Sequence, residues 1–188
     1  MQITLVNNNY DKGIRLIGDE QTVNIYSEHP GEIADNKDTM IILEKGRSQT
    51  GKLDGKGFLI AGAGEYENNG VYILAEEIDS SIKVLAIEID GIRVMYYSNS
   101  DEISREQLSH FGISDILVLE LAGDYSAQLR TIQLIDPQVI LPLSSDLANL
   151  EKFKHELGIE FVPVSKYKVK STEFENSEYV LRGVSLQN

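Results

Sequence analysis

The sequence predicts an α/β fold, an αββα sandwich forming one compact domain over residues 1–188, with two sheets packed face to face and helices outside. Three observations carry this. The chain up to about residue 100 is a series of short apolar runs separated by Asn, Asp and Gly. Beyond that point, strand-like and helix-like segments alternate. Two of the later runs, Asp115–Leu119 and Val139–Leu141, are apolar almost throughout, the pattern of strands buried on both faces. No internal repeat, low-complexity stretch or linker divides the chain.

The elements follow in order. Met1–Val6, Gly13–Ile17 and Thr22–Tyr26 read as strands, with the turn Asn7–Gly13 supplied by residues that tolerate positive φ. Thr39–Leu43 and Phe58–Ile60 continue the series. Val71–Ile78 and Ile82–Ile89 flank Asp79-Ser80-Ser81 as a hairpin, and Asp90-Gly91 turns tightly into Ile92–Tyr96. Ser104 is placed to cap a helix that Gly112 ends. Asp124–Ile135 has helical spacing up to Pro137. Asp146 caps a further helix running to about Leu157 and closed by Gly158. Phe161–Val169 and Glu178–Leu181 are read as the last strands.

Composition limits the function classes. The chain is 41% hydrophobic and 25% charged, an ordinary globular balance. Its net charge of −13 repels phosphate backbones, so no nucleic-acid partner is expected. Cysteine is absent, which removes disulfides, thiolate metal sites and cysteine nucleophiles and suits a reducing cytoplasm. No signal-peptide pattern and no membrane-spanning apolar stretch is seen. The expectation is a cytoplasmic, acidic protein with no membrane partner, and a homodimer is common enough to expect.

The chemistry-bearing residues are few. The three histidines, His29, His110 and His155, lack the i+2 or i+4 companions of a local metal motif. His110 and His155 stand near predicted helix C-termini, where a cation complements the macrodipole. Gly46-Arg47-Ser48-Gln49-Thr50-Gly51-Lys52 has phosphate-loop spacing, but Leu53 replaces the magnesium-binding hydroxyl and turn sequence follows in place of a helix. Glu65 and Glu67, in Gly64-Glu65-Tyr66-Glu67, share one face if the segment is a strand and could act as an acid/base or cation-binding pair; as composition, they read as solvated acids on a hairpin turn. No Gly-x-Ser-x-Gly nucleophile motif is present.

Gly62-Ala63-Gly64-Glu65-Tyr66-Glu67-Asn68-Asn69-Gly70-Val71 resembles a stretch of one branch of the metallo-β-lactamase superfamily, the group similar to the ascorbate-phosphate lactonases. Ile89–Arg93, Glu106–Leu108, Asp115–Leu119, Ala122-Gly123, Asp136–Pro142 and Lys166–Val169 fall in the matching order. The resemblance implies a two-metal hydrolase whose ligands come from a His-x-His-x-Asp-His loop, a later His, a bridging Asp and a final His. In this chain those positions fall on Lys45, Arg47, Gln49 and Thr50, then Tyr96, Asn99 and Ser144. The resemblance therefore points to a degenerate member, a pseudoenzyme that has lost its metal ligands and needs no cofactor. It would act as a binding or interaction module, for a protein partner or for a small anion, through a cleft of Lys45, Arg47, Glu65, Tyr96, Asn99 and Ser144. The alternatives are a Zn-, Mn- or Mg-dependent lactonase, esterase or phosphodiesterase with a rebuilt site of Glu65, Glu67, His29 and Asp101, and nucleotide binding through Gly46–Lys52.

Overall fold

The structure, a computed structural model, describes residues 1–6, 13–27, 38–43, 51–52, 57–78, 81–98, 103–121, 125–175 and 180–187. The first sheet contains β1 (Gln2–Leu5), β2 (Ile14–Ile17), β3 (Thr22–Tyr26), β4 (Thr39–Ile42), β5 (Gly51–Lys52), β6 (Phe58–Ile60) and β14 (Tyr167–Lys168), in the order β14-β1-β2-β3-β4-β6-β5. The second contains β7 (Gly64–Asn68), β8 (Val71–Ile78), β9 (Ser81–Ile89), β10 (Ile92–Tyr97), β11 (Ile116–Glu120), β12 (Val139–Leu143), β13 (Phe161–Val164) and β15 (Arg182–Leu186), in the order β13-β15-β12-β11-β10-β9-β8-β7. Helices α1 (Arg105–Phe111), α2 (Ser126–Ile135) and α3 (Leu147–Leu157) are the longer ones, and α4 (Thr172–Glu175) is a single turn.

Two cores explain the two strand patterns. The first lies between the sheets and takes Ile14, Leu16, Val23, Ile25 and Ile41 from one and Ile73, Leu85, Val94, Val118 and Leu141 from the other. Strands β1 and β2 contribute every second residue and so alternate. The second core lies between the second sheet and the helices, joining Met95, Tyr97, Leu117, Leu119 and Ile140 to Phe111, Ile132 and Phe153. Strands β11 and β12 are buried on both faces, hence their unbroken apolar runs. Among the described residues the three longer helices thus cover one face of the sandwich. No helix among them is long and apolar enough to cross a membrane.

Local chemistry accounts for most boundaries. Ser104 and Gln107 form a reciprocal capping box on α1, and Gly112 is its C-cap. Asp146 caps α3 through the amide of Ala148, and Gly158 ends it in the left-handed conformation. Asp90 and Gly91 both take positive φ between β9 and β10.

Four expectations are corrected. The Glu65–Glu67 segment is strand, and its turn lies one step later at Asn69-Gly70, both at positive φ. Phe161–Val169 is two strands in different sheets: the bend at Ser165-Lys166 separates β13, which pairs with β15, from β14, which pairs with β1. The closing strand is Arg182–Leu186, with Val184 and Leu186 in the inter-sheet core; of the expected Glu178–Leu181 strand, Val180 and Leu181 are not strand, and Glu178 and Tyr179 lie outside the described residues. Lys52 lies in β5, paired antiparallel with Phe58 of β6, where a phosphate loop would place its lysine at a helix N-terminus.

Candidate functional site at the strand ends

The strand directions converge on one end of the sandwich. Strands β3, β4 and β6 run parallel, as do β10, β11 and β12. Their C-terminal ends meet: the Leu43 amide donates to the Tyr26 carbonyl (3.0 Å), the Leu121 amide donates to the Leu143 carbonyl (3.0 Å), and Ser27 reaches across to Glu120. Ligands of open α/β sheets bind beyond the carboxyl ends of parallel strands. The sequence-predicted residues His29, Lys45, Arg47, Gln49, Thr50, Asn99 and Asp101 follow β3, β4 and β10 in the chain and lie outside the described residues.

The described part of this end is a cluster of Ser27, Tyr96 and Glu120. Alternation along β10 turns Tyr96 into the inter-sheet core and Tyr97 toward the helices. The same alternation on β11 turns Ile116 and Val118 inward, and so also Glu120, two residues beyond Val118. Val118 pairs in register with Tyr96, so Glu120 stands one step nearer the strand ends. The fully buried Tyr96 hydroxyl donates to Glu120 Oε1, and the Ser27 hydroxyl donates to the same oxygen at 3.3 Å. The Glu120 backbone carbonyl accepts a 2.6 Å bond from Nε2 of the buried Gln128 on α2. Burial first, then the adjacent Glu120 charge and the bond to it, hold the Tyr96 phenol well above the ordinary tyrosine range, against the opposing effect of Ser27. Tyr96 is therefore a neutral donor.

Ser144 follows β12 at this end, but its Oγ accepts from the Asp146 amide and donates to the Asp146 carbonyl, both at 3.1 Å. It helps form the turn that starts α3. Glu65 and Glu67 are elsewhere. The row Gly64–Ala75–Leu85–Tyr96 crosses β7 to β10, so Glu65 lies three strand spacings, about 14 Å, from Tyr96. Glu65 and Glu67 are exposed on the opposite face of the sheet from Tyr66, which packs against the inter-sheet core. Glu65 there faces Tyr72, whose phenol is raised by desolvation and by the Glu65 charge and hydrogen bond. The structure does not bring Glu65 together with Tyr96 or Ser144.

The Gly-Glu-Tyr-Glu element has a structural account. Gly64 has φ +150°, and a Cβ there would lie 3.0 Å from the Tyr66 hydroxyl. That hydroxyl is held over the bend by the carbonyls of Gly62 (3.0 Å) and Ala63 (3.1 Å). The tyrosine ties the bend down, and the glycine leaves room for it.

Sequence reasoning missed Ser27, Glu120 and Gln128. Glu120 had a signal: continuing the period of two past Ile116 and Val118 places a carboxylate on the core side of a buried strand. Gln128 had a weaker one, as a polar residue on a helix face shared with Thr131, Ile132 and Ile135. Nothing local marks Ser27, whose role depends on pairing across sheets.

The described positions do not fit a zinc site. The Tyr96 hydroxyl is committed to a carboxylate, the Ser144 hydroxyl to a turn, and neutral hydroxyls are poor zinc ligands. No group of three or more His, Cys, Asp or Glu able to hold a metal ion occurs among the described residues. His110 and His155 are exposed in the last turns of α1 and α3, on the helical layer.

Two facing sheets, a helical layer on the second, and parallel strands ending together define a metallo-beta-lactamase fold. The chain is similar to a candidate Zn-dependent hydrolase of the metallo-beta-lactamase superfamily from Thermotoga maritima, at 21% identity and a TM-score of 0.69 over 100% of this chain and 98% of the other. It is also similar to the metallo-beta-lactamase fold protein YhfI from Bacillus subtilis, at 11% identity and a TM-score of 0.56 over 83% of this chain and 92% of the other. At these identities the likeness is one of fold. No protein-family model and no curated protein matches the chain.

Proposed function

We propose that this chain is a metal-free, non-hydrolytic protein of metallo-beta-lactamase fold that acts as a binding or interaction module through the C-terminal ends of its parallel strands. One observation carries the reading: the residue standing where the resemblance implies a histidine ligand is a buried tyrosine bonded to a carboxylate. A hydrolytic metal centre needs several converging ligands and a position open to water. With cysteine absent and His110 and His155 on the outer helices, His29 is the one histidine left to serve such a centre.

The likeness to a candidate Zn-dependent hydrolase favours the second reading, a divalent-metal hydrolase with a rebuilt carboxylate site. Against it, two of the four residues that site would use, Glu65 and Glu67, occupy the outer face of an edge strand. Elemental analysis of purified protein separates the readings. We expect well under one equivalent of zinc, manganese or iron, and no turnover of lactone, ester or phosphodiester substrates when divalent ions are added. A stoichiometric metal that survives dialysis, or turnover abolished by chelation, overturns the proposal.

A further inference from the structure

We infer that the outer face of the second sheet, where α1 ends, binds a small zwitterion, an α-amino acid with an apolar side chain. The site is separate from the strand ends: Arg93 stands near the start of β10, and Tyr96 near its end. Two rows of the sheet build its floor. Leu74 pairs in register with Ala86, and Ala86 with Met95, giving an apolar row that packs on the helix-side core. Tyr72, Glu88 and Arg93 pair in register as the next row on the same face. The end of α1 walls this floor through Phe111, which is buried in the same core. Between floor and wall lies a cavity of about 260 Å³. That is the space of roughly nine liquid waters, enough for a small molecule and too little for a peptide segment.

The polar groups of the cavity define the ligand. Arg93 Nε donates to Glu88 Oε2 at 3.3 Å, which holds the guanidinium at the cavity edge. Among the described residues the two Nη groups and Glu88 Oε1 make no further bond. An exposed ion pair of this kind contributes little by itself, so both partners are available to a ligand. The Nη donors fit a carboxylate as a fork, and Glu88 accepts from an ammonium. Ser114 is an independent sign of the same ligand. It is 3% exposed and lines the cavity, and its hydroxyl has no partner among the described residues, yet that oxygen is not sealed off in the core. Buried hydroxyls find partners in native folds, and the cavity is where this one can take the carboxylate. Gly112 keeps the mouth clear, since a Cβ there would stand 3.9 Å from Arg93 Nη1. The last carbonyls of α1 have no donor within the helix and add acceptors for an ammonium on the same wall. Charges of both signs over an apolar floor match a zwitterion with an apolar arm, whereas a lone anion or a lone cation satisfies only one of them.

The test uses L-leucine as the probe. It is compared with isovalerate, which lacks the ammonium, isoamylamine, which lacks the carboxylate, and glycine, which lacks the apolar arm. The readout is the backbone amide resonances of Gly112 and Ser114 and the Arg93 Nε–H resonance of the full-length protein. We expect saturable shifts with L-leucine, and binding at least about tenfold weaker for each comparison compound. Arg93→Met and Glu88→Gln, both at half-exposed positions, should each weaken leucine binding by about tenfold or more, and Ser114→Ala by about fivefold. Melting curves of the three variants serve as the control for folding. No saturable shift with L-leucine, equal binding of any comparison compound, or unchanged affinity in Arg93→Met or Glu88→Gln each overturns the inference. Shifts at Gln128 and Leu121 without shifts at Gly112 and Ser114 place the ligand at the strand ends and overturn it as well.

Discussion

Tyr96 concentrates the physics of the site in one side chain. It is fully buried in an otherwise apolar row, and its hydroxyl is satisfied by Glu120. Replacing it with phenylalanine keeps the ring and deletes the donor, leaving Glu120 Oε1 with Ser27 alone. The expected cost is about 1 to 3 kcal/mol, read as a fall in Tm of roughly 2 to 4 °C per kcal/mol for a chain of this size. The pH dependence has a definite sign. The folded phenol is held well above the ordinary value near 10, so the unfolded chain loses this proton first. The stability from the protonated phenol is complete below pH ~10 and is lost as pH rises from there toward the folded value. Melting curves from neutral to alkaline pH should therefore show the gap between wild type and Tyr96→Phe closing above that point, and a gap that widens there contradicts the buried donor. The sequence drew attention to Tyr96 only through the resemblance, which aligns it with a histidine ligand. That it is a donor was not legible, because Glu120 is 24 residues away and joins it only through the parallel pairing of β10 and β11.

Elements were legible where one or two residues dictate the backbone. The capping box at Ser104, the turn at Asp90-Gly91 and the stops at Gly112 and Gly158 are local chemistry, and they occur where the residues indicate. Strands that needed a partner to declare themselves were misread. Glu65–Glu67 carries turn-like residues, yet it is strand because it completes the edge beside β8. Arg182–Leu186 is strand because it enters between β12 and β13. Two glycines separate conformational demand from space. Gly13 has φ +105°, and a Cβ there would fall 1.9 Å from the Ile25 carbonyl oxygen, so β2 cannot begin beside β3 with any larger residue. Gly70 has φ +82° with open space around it. Gly13→Ala should cost about 3 to 5 kcal/mol, strain plus overpacking, whereas Gly70→Ala should cost only about 1 kcal/mol. Denaturant melts of the two variants check the ordering, and equal losses would mean that φ alone sets both costs.

At the scale of the whole molecule, polar ties join the two sheets at opposite ends. Asn68 at the end of β7 donates to Thr39 at the start of β4 at 3.0 Å, while Ser27 after β3 bonds Glu120 at the other end. The second tie stands at the end where the resemblance implies metal ions, whose ligands would come from loops of both sheets. A hydroxyl–carboxylate cluster thus joins the halves of the sandwich at that end. The bulk of the fold does not depend on which of the two is present, because the inter-sheet core is a continuous apolar layer. This is why the architecture was readable from hydrophobic pattern while the Ser27–Tyr96–Glu120 cluster was not. A metal that binds only the folded state raises stability with its concentration and lowers it when stripped, by about 2.7 kcal/mol at a hundredfold excess over Kd. The cluster gives no such dependence. Tm measured after exhaustive dialysis against EDTA should match that of the untreated protein, and stoichiometric zinc or manganese should leave it unchanged. A drop of several degrees on chelation, restored by one metal, would show that the two sheets are clamped by an ion after all.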